Sequence, residues 1–193
     1  PQRDGYTFGG WYLEQYDAND TVDSTKRVTN STVMTTAANH TLYAYWTSNQ
    51  YTITFDLNDI AGSTAGVITG SAFTLERTRT STRTTRYTTT YHTGDSLASK
   101  IANATRPGYA NNTRWNIQTT DGDWNNPLTF RANKWSGMGT YGNVTLAAAA
   151  WTPQTYSIVY VANNGTDDSE VQDGINYDSS VTLYTNGAGE NDD

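Results

Sequence analysis

Thr41-Leu42-Tyr43-Ala44-Tyr45-Trp46, followed after a short gap by Tyr51-Thr52-Ile53-Thr54-Phe55, is the stretch from which the fold is read. The second string alternates apolar and polar residues, the period of a strand with one buried face. The pattern returns later. Thr145-Leu146, a run of alanines and Trp151 precede Tyr156-Ser157-Ile158-Val159-Tyr160, and the two tryptophans are as far apart as the two tyrosines. Upstream, Arg3-Asp4-Gly5-Tyr6 with Trp11 matches Arg106-Pro107-Gly108-Tyr109 with Trp115. The period is about a hundred residues, a small domain rather than a solenoid coil.

The repeat is out of phase with the chain. Residues 50–154 make one complete copy, with a long Thr/Arg-rich insertion near 60–100. Residues 1–49 read as the C-terminal half of a copy and 155–193 as the N-terminal half of the next. Joining Gly187-Ala188-Gly189-Glu190-Asn191-Asp192-Asp193 to Pro1-Gln2-Arg3-Asp4-Gly5-Tyr6 gives one continuous loop into the Gly-Tyr motif. The sequence opens at Pro1 without a leader, which is expected to lie upstream or to have been removed.

Composition points the same way as the alternation. Over 193 residues, 35% are hydrophobic and 16% charged, yet 12% are aromatic, with 14 Tyr and 6 Trp. Aromatics at that level argue for a packed core rather than disorder, and Thr, Tyr, Val and Trp favour strands. Without cysteine, a disulfide framework, a Cys-type zinc site and a thiol nucleophile are excluded. A net charge of -7 argues against nucleic-acid binding, and no apolar run has the length of a membrane span.

Other segments follow from the same rules. Thr7-Phe8-Gly9-Gly10-Trp11-Tyr12-Leu13 is a short strand whose Gly pair allows a bulge or a close approach. Asn163-Asn164-Gly165 is a hairpin turn after the strand 156–161, and Ser180-Val181-Thr182-Leu183-Tyr184 is a further strand. Between Ala72 and Thr93, Phe73, Leu75, Arg77, Arg79, Ser81, Arg83 and Tyr87 share one parity and would line one face of an extended strand. Ser96–Asn103 is the best helix candidate, with Asp95 or Ser96 as cap and Leu97 and Ile101 on its apolar side.

Gly5-Tyr6-Thr7-Phe8-Gly9-Gly10-Trp11-Tyr12, Val28-Thr29, Thr41–Trp46 and Tyr51–Phe55 together resemble the internalin-type B-repeat, also called the Listeria–Bacteroides repeat, of bacterial secreted and cell-surface proteins. The likeness is close over 3–58 and looser over 106–193. It implies a β-rich (α+β) fold of tandem β-grasp, ubiquitin-like modules, circularly out of phase with the chain ends. It also implies an extracellular stalk or adhesive spacer without catalytic residues, with Tyr6, Trp11, Tyr43 and Trp46 as core positions.

Candidate sites are few. His40 and His92 stand in no metal-spaced motif and read as surface histidines. Asp121-Gly122-Asp123-Trp124 reads first as a turn, and no nucleophile elbow, phosphate loop or dinucleotide fingerprint occurs. Asp167, Asp168, Glu170 and Asp173 are a weak calcium candidate against the reading of a solvated acidic loop. Trp124 and Trp135 are candidates for stacking on sugar rings, and Arg77, Arg79 and Arg83 for an anionic partner. Asn19, Asn30, Asn39, Asn103, Asn111, Asn143 and Asn164 stand in glycosylation sequons.

The expectation is therefore a non-enzymatic structural protein of the cell surface, with no cofactor. A half domain leaves strand edges unpaired. Tyr6, Phe8, Trp11, Tyr43 and Trp46 of one half and Ile158, Tyr160, Val181 and Leu183 of the other are the expected inter-subunit or inter-repeat core. The partners are copies of the chain joined head to tail into a fibre or pilus-like filament, or adjacent repeats of a longer chain. Closure of the two halves within one chain is the structural rival. A surface adhesin binding carbohydrate or a host or matrix partner is the alternative function.

Overall fold

The computed structural model describes residues 1–16, 21–60, 64–110, 114–117, 126–127, 130–131, 134–135, 141–163, 165 and 169–184, with backbone alone for those between 126 and 135. The described chain is mostly β, in several small sheets, with almost no helix. Its strands are β1 (Tyr6–Tyr12), β2 (Arg27–Val28), β3 (Tyr43–Ser48), β4 (Gln50–Asp56) and β5 (Val67–Ile68). Next come β6 (Thr74–Arg77), β7 (Arg86–His92), β8 (Ala104–Thr105), β9 (Trp115–Ile117) and β10 (Asn126–Pro127). The last are β11 (Phe130–Arg131), β12 (Lys134–Trp135), β13 (Val144–Ala148), β14 (Thr155–Val161) and β15 (Ser169–Asn176).

A six-stranded sheet has the order β10-β9-β13-β4-β7-β6. A separate sheet has the order β2-β1-β3, and β14-β15, β5-β8 and β11-β12 are two-stranded ribbons. β1 runs antiparallel to β3, and its register skips between Phe8 and Gly10, where Gly9 lies against the Tyr45 ring. A side chain at Gly9 would collide with that ring, so the Gly pair supplies both the bulge and the close approach. β14 and β15 form an antiparallel hairpin with Asn163 and Gly165 in left-handed backbone between them.

The chain divides into two compact units. One takes Pro1–Thr54, Thr88–Ile101 and Asn116–Leu146. Its fully buried side chains include Ile53, Tyr91, Leu97, Ile117 and Leu146. The Tyr91 hydroxyl, which would be costly to bury unpaired, donates to Gly142 O at 2.7 Å. The other unit takes Phe55–Tyr87, Ala102–Trp115 and Ala147–Asp193. There Phe55 and Leu57 have no solvent contact, and Trp115 meets Phe55 edge-on at 4.9 Å and donates Nε1–H to Ala102 O. Each such large apolar side chain contributes roughly 1.5–3 kcal/mol on burial.

Three expectations are corrected. The helix candidate Ser96–Asn103 is only a 3-10 turn, Leu97–Lys100, with no side-chain cap from Ser96 and Ile101 already extended. Only Leu97 of that turn is buried, and so short a helix has no second apolar contact to hold it. The Thr/Arg stretch is not one strand. Thr80 N–H donates to Arg83 O and Arg83 N–H to Thr80 Oγ1, and this turn separates β6 from its neighbour β7. Ser180–Tyr184 forms no strand; Tyr184 instead stacks on Tyr160 at 4.9 Å.

Candidate functional site

The matched strings share local backbone features. Gly5 and Gly108, at matching places in the Arg-x-Gly-Tyr strings, have φ of 78° and 79°. In both, the tyrosine N–H donates to the arginine carbonyl at 3.1 Å. In both, the guanidinium lies over the tyrosine ring, 3.7 Å from Tyr6 and 4.0 Å from Tyr109. Asn58 and Asn163, as far apart as Trp46 and Trp151, have φ of 49° and 50°.

Burial differs between the matched segments where backbone does not. Trp115 is 3% exposed, whereas its counterpart Trp11 is 38% exposed. Ile53 and Phe55 have no exposure, whereas their counterparts Ile158 and Tyr160 are half-buried. Arg106 is 3% exposed and donates Nε–H to Thr64 O, whereas Arg3 is exposed. Trp151 donates Nε1–H to Leu57 O at 2.6 Å. Among the described residues the Trp46 indole N–H meets no acceptor.

Around Arg3 this lack of cover leaves a cleft of about 270 Å³, lined by Arg3, Tyr6, Tyr45, Trp46, Ser48 and Thr93 among others. Its floor is β1 and β3, where Phe8 meets Trp46 edge-on at 5.4 Å. Thr93 Oγ1 donates to Gly5 O, so the left-handed turn at Gly5 is tied down at its carbonyl. In the matching Arg106–Tyr109 segment, burial pushes the Tyr109 phenol above its ordinary pKa, against the opposing pull of Arg106. Arg3, Tyr6, Tyr45 and Trp46 lie in the quoted sequence motifs, whereas Ser48 does not. The signal was the matched Arg-x-Gly-Tyr string; the exposure of Arg3 is a property of folding.

The other candidates are dispersed. Tyr6, Phe8, Tyr43 and Trp46 are half-buried on β1 and β3. Val181 is half-buried and Leu183 is 60% exposed. Arg77 donates to Thr84 O, and Arg79 donates to Asp59 O and Ile60 O, while Arg83 is exposed. The guanidiniums of Arg77 and Arg79 thus cap local carbonyls. Trp124 and the Trp135 side chain lie outside the described residues, as do Asp167, Asp168 and Asp121–Asp123. Glu170 and Asp173 are exposed on β15, and no acidic or histidine cluster fit for a metal occurs among the described residues. His40 and His92 are both at the surface. Of the sequon asparagines, Asn30, Asn39 and Asn103 are exposed. Asn143 is exposed too, but its Oδ1 accepts from Thr52 N. Asn19, Asn111 and Asn164 lie outside the described residues.

No family model matches the chain, and no solved structure matches it. A curated protein of Evansella cellulosilytica named "Putative Gly-rich membrane protein" is 32% identical over 182 residues. The match covers 93% of this chain but spans only 18% of the relative's length. No helix among the described residues is long and apolar enough to cross a membrane.

Proposed function

We propose that the chain is a structural module of an extracellular stalk or fibre, built of β-grasp repeats, whose two half domains are each completed by a neighbouring copy. The sheet order carries this reading. In the complete copy, β9 and β13 come from the back half of the repeat and β4 and β7 from the front half, in the run β9-β13-β4-β7. The joint between the halves is β13 beside β4. At its ends the chain repeats the parts without the joint. β1 and β3 stand together as β9 and β13 do, with β3 at an edge, while β14 pairs with β15 as β4 pairs with β7. The missing contact is β3 beside β14.

Physical chemistry supports filling it. An isolated two-stranded ribbon is marginal in water, and open edges attract further strands. The ribbon also exposes Tyr156, Val159, Val161 and Val171, at 47%, 57%, 66% and 51%. The front half of one copy seated on the back half of the next is a head-to-tail contact, which propagates when its rotation does not close. The neighbour is a second chain or the next repeat of a longer chain. The relative, of which this chain spans under a fifth, accommodates the second arrangement, and its name as a membrane protein fits display at a cell surface. Nothing in this role requires catalysis or a cofactor.

Sedimentation velocity over a wide concentration range, with negative-stain electron microscopy, tests the reading. The mass is expected to rise with concentration and to give uniform chains of particles. Val159→Lys with Val161→Lys, both at exposed positions, is expected to hold the chain at one copy without unfolding it. A wild-type chain that stays at 21.2 kDa up to millimolar concentration would refute head-to-tail completion.

A further inference from the structure

The geometry points to the Arg3 cleft as the socket of this joint and to its occupant: the chain leaving β14, at Ala162 and Asn163, of a second copy. The inference rests on the split-repeat reading and adds which groups meet. The complete copy holds the filled form of the same socket. Trp151 Nε1–H donates to Leu57 O and Arg106 Nε–H to Thr64 O, both acceptors lying in the segment that follows β4. Ala162 is as far from Leu57 as Trp151 is from Trp46. Its neighbour Asn163 has the left-handed backbone of Asn58, so the carbonyl at 162 leaves its strand with the local turn that presents the carbonyl at 57. Arg3 and Trp46 both line the cleft. The Trp46 indole N–H and the Arg3 guanidinium have no acceptor among the described residues, and Arg3 already lies over the Tyr6 ring as Arg106 lies over Tyr109.

Seating the second copy would give the Trp46 N–H the carbonyl of Ala162 and cover Arg3, whose counterpart Arg106 donates to a carbonyl. It would also carry Arg3 from solvent to the buried state of Arg106. Hydrogen bonds from a charged donor into a closing interface count for more than neutral ones at a surface. The occupant is therefore specific: a β-strand ending in a left-handed asparagine, with its carbonyls facing an arginine and an indole.

The test labels arginines with phenylglyoxal and maps them by mass spectrometry, in the monomeric and assembled fractions of the whole chain. Arg106, at 3% exposure, is the protected reference in both fractions. Arg3 is expected to react at least tenfold more slowly in the assembled fraction. Arg3→Gln with Trp46→Phe, which keeps an aromatic ring and removes both donors, is expected to raise the concentration needed for assembly at least tenfold, with unchanged circular dichroism. If the chain assembles while Arg3 stays reactive and the double variant assembles as wild type, the socket is refuted and the split-repeat reading survives. If no assembled fraction forms, the occupant does not exist and both fall.

Discussion

Asp59 has no solvent contact and gathers three donors: Thr85 N at 2.8 Å, Thr85 Oγ1 at 2.7 Å and Gly66 N at 2.7 Å. Two of these are backbone groups with no other claim on water. A buried donor left unmatched costs about 1–3 kcal/mol, so Asp59→Ala is expected to destabilise the chain by at least about 3 kcal/mol in urea unfolding. Thr85→Val, which removes one hydroxyl and keeps the shape, should cost only about 1 kcal/mol. Equal losses for the two would mean that the carboxylate is not the hub. Asp95 sets a pH dependence of the opposite exposure. The His92 N–H donated to its carboxylate lowers the pKa most, burial works against this, and Lys100 at 3.2 Å lowers it further. A depressed folded pKa adds stability that is present above the unfolded value, about 3.9, and is lost as pH falls through the folded value. Wild type is therefore expected to exceed Asp95→Asn in stability at pH 7, by less than about 1 kcal/mol at this partly solvated site. The gap should close under acid. A gap that stays constant with pH would remove the carboxylate's charge from the account.

Among the elements, the C-terminal ribbon depends on one glycine outside it. Gly108 has φ of 79°, and a Cβ there would overlap the Tyr177 ring. Tyr177 in turn contacts the Tyr109 ring and shares a hydrogen bond with Thr64 at 2.9 Å, which anchors the end of β15. Gly108→Ala is expected to expel Tyr177 and speed amide exchange across 155–176, leaving β4 and β7 protected; unchanged exchange in the ribbon would show that it is held elsewhere. How far such elements could be read from sequence depended on where their partners lie. The alternation of Tyr51–Leu57 announced a strand, and Ile53, Phe55 and Leu57 are indeed buried. The same logic failed between Ala72 and Thr93, because alternation cannot see a turn made by Thr80 and Arg83. It failed at Ser96–Asn103, where cap and apolar residues were present but only Leu97 of the turn Leu97–Lys100 found a core. Trp11 and Trp115 show the limit most directly. They occupy matching sequence positions, yet one is exposed and the other buried, because burial is set by residues distant in sequence, such as Phe55 beside Trp115.

On the scale of the whole molecule, the proposed split register implies that one copy in isolation is less cooperative than two in series. Repeat arrays gain stability from each interface between neighbours, and the slope of unfolding free energy against denaturant follows the surface exposed. A chain of two copies, with Asp193 joined to Pro1 of the second, offers one β3–β14 joint that a single copy lacks. Linking makes that joint intramolecular, with an effective concentration in the millimolar range for a short flexible connection. It should therefore close even in solutions too dilute for separate chains to assemble. The two-copy chain is expected to show a higher urea midpoint than the single copy and a slope more than twice as steep. Replacing Val159 and Val161 of the first copy by lysine should return the midpoint to that of the single chain, because the ribbon then carries charge where the joint would bury it. The same substitutions in the second copy, whose ribbon has no neighbour to meet, should leave the midpoint where it was. Equal sensitivity at both positions would mean that the valines support the ribbon itself. A two-copy chain that unfolds at the single-chain midpoint would mean that the halves, although matched in sequence, do not meet.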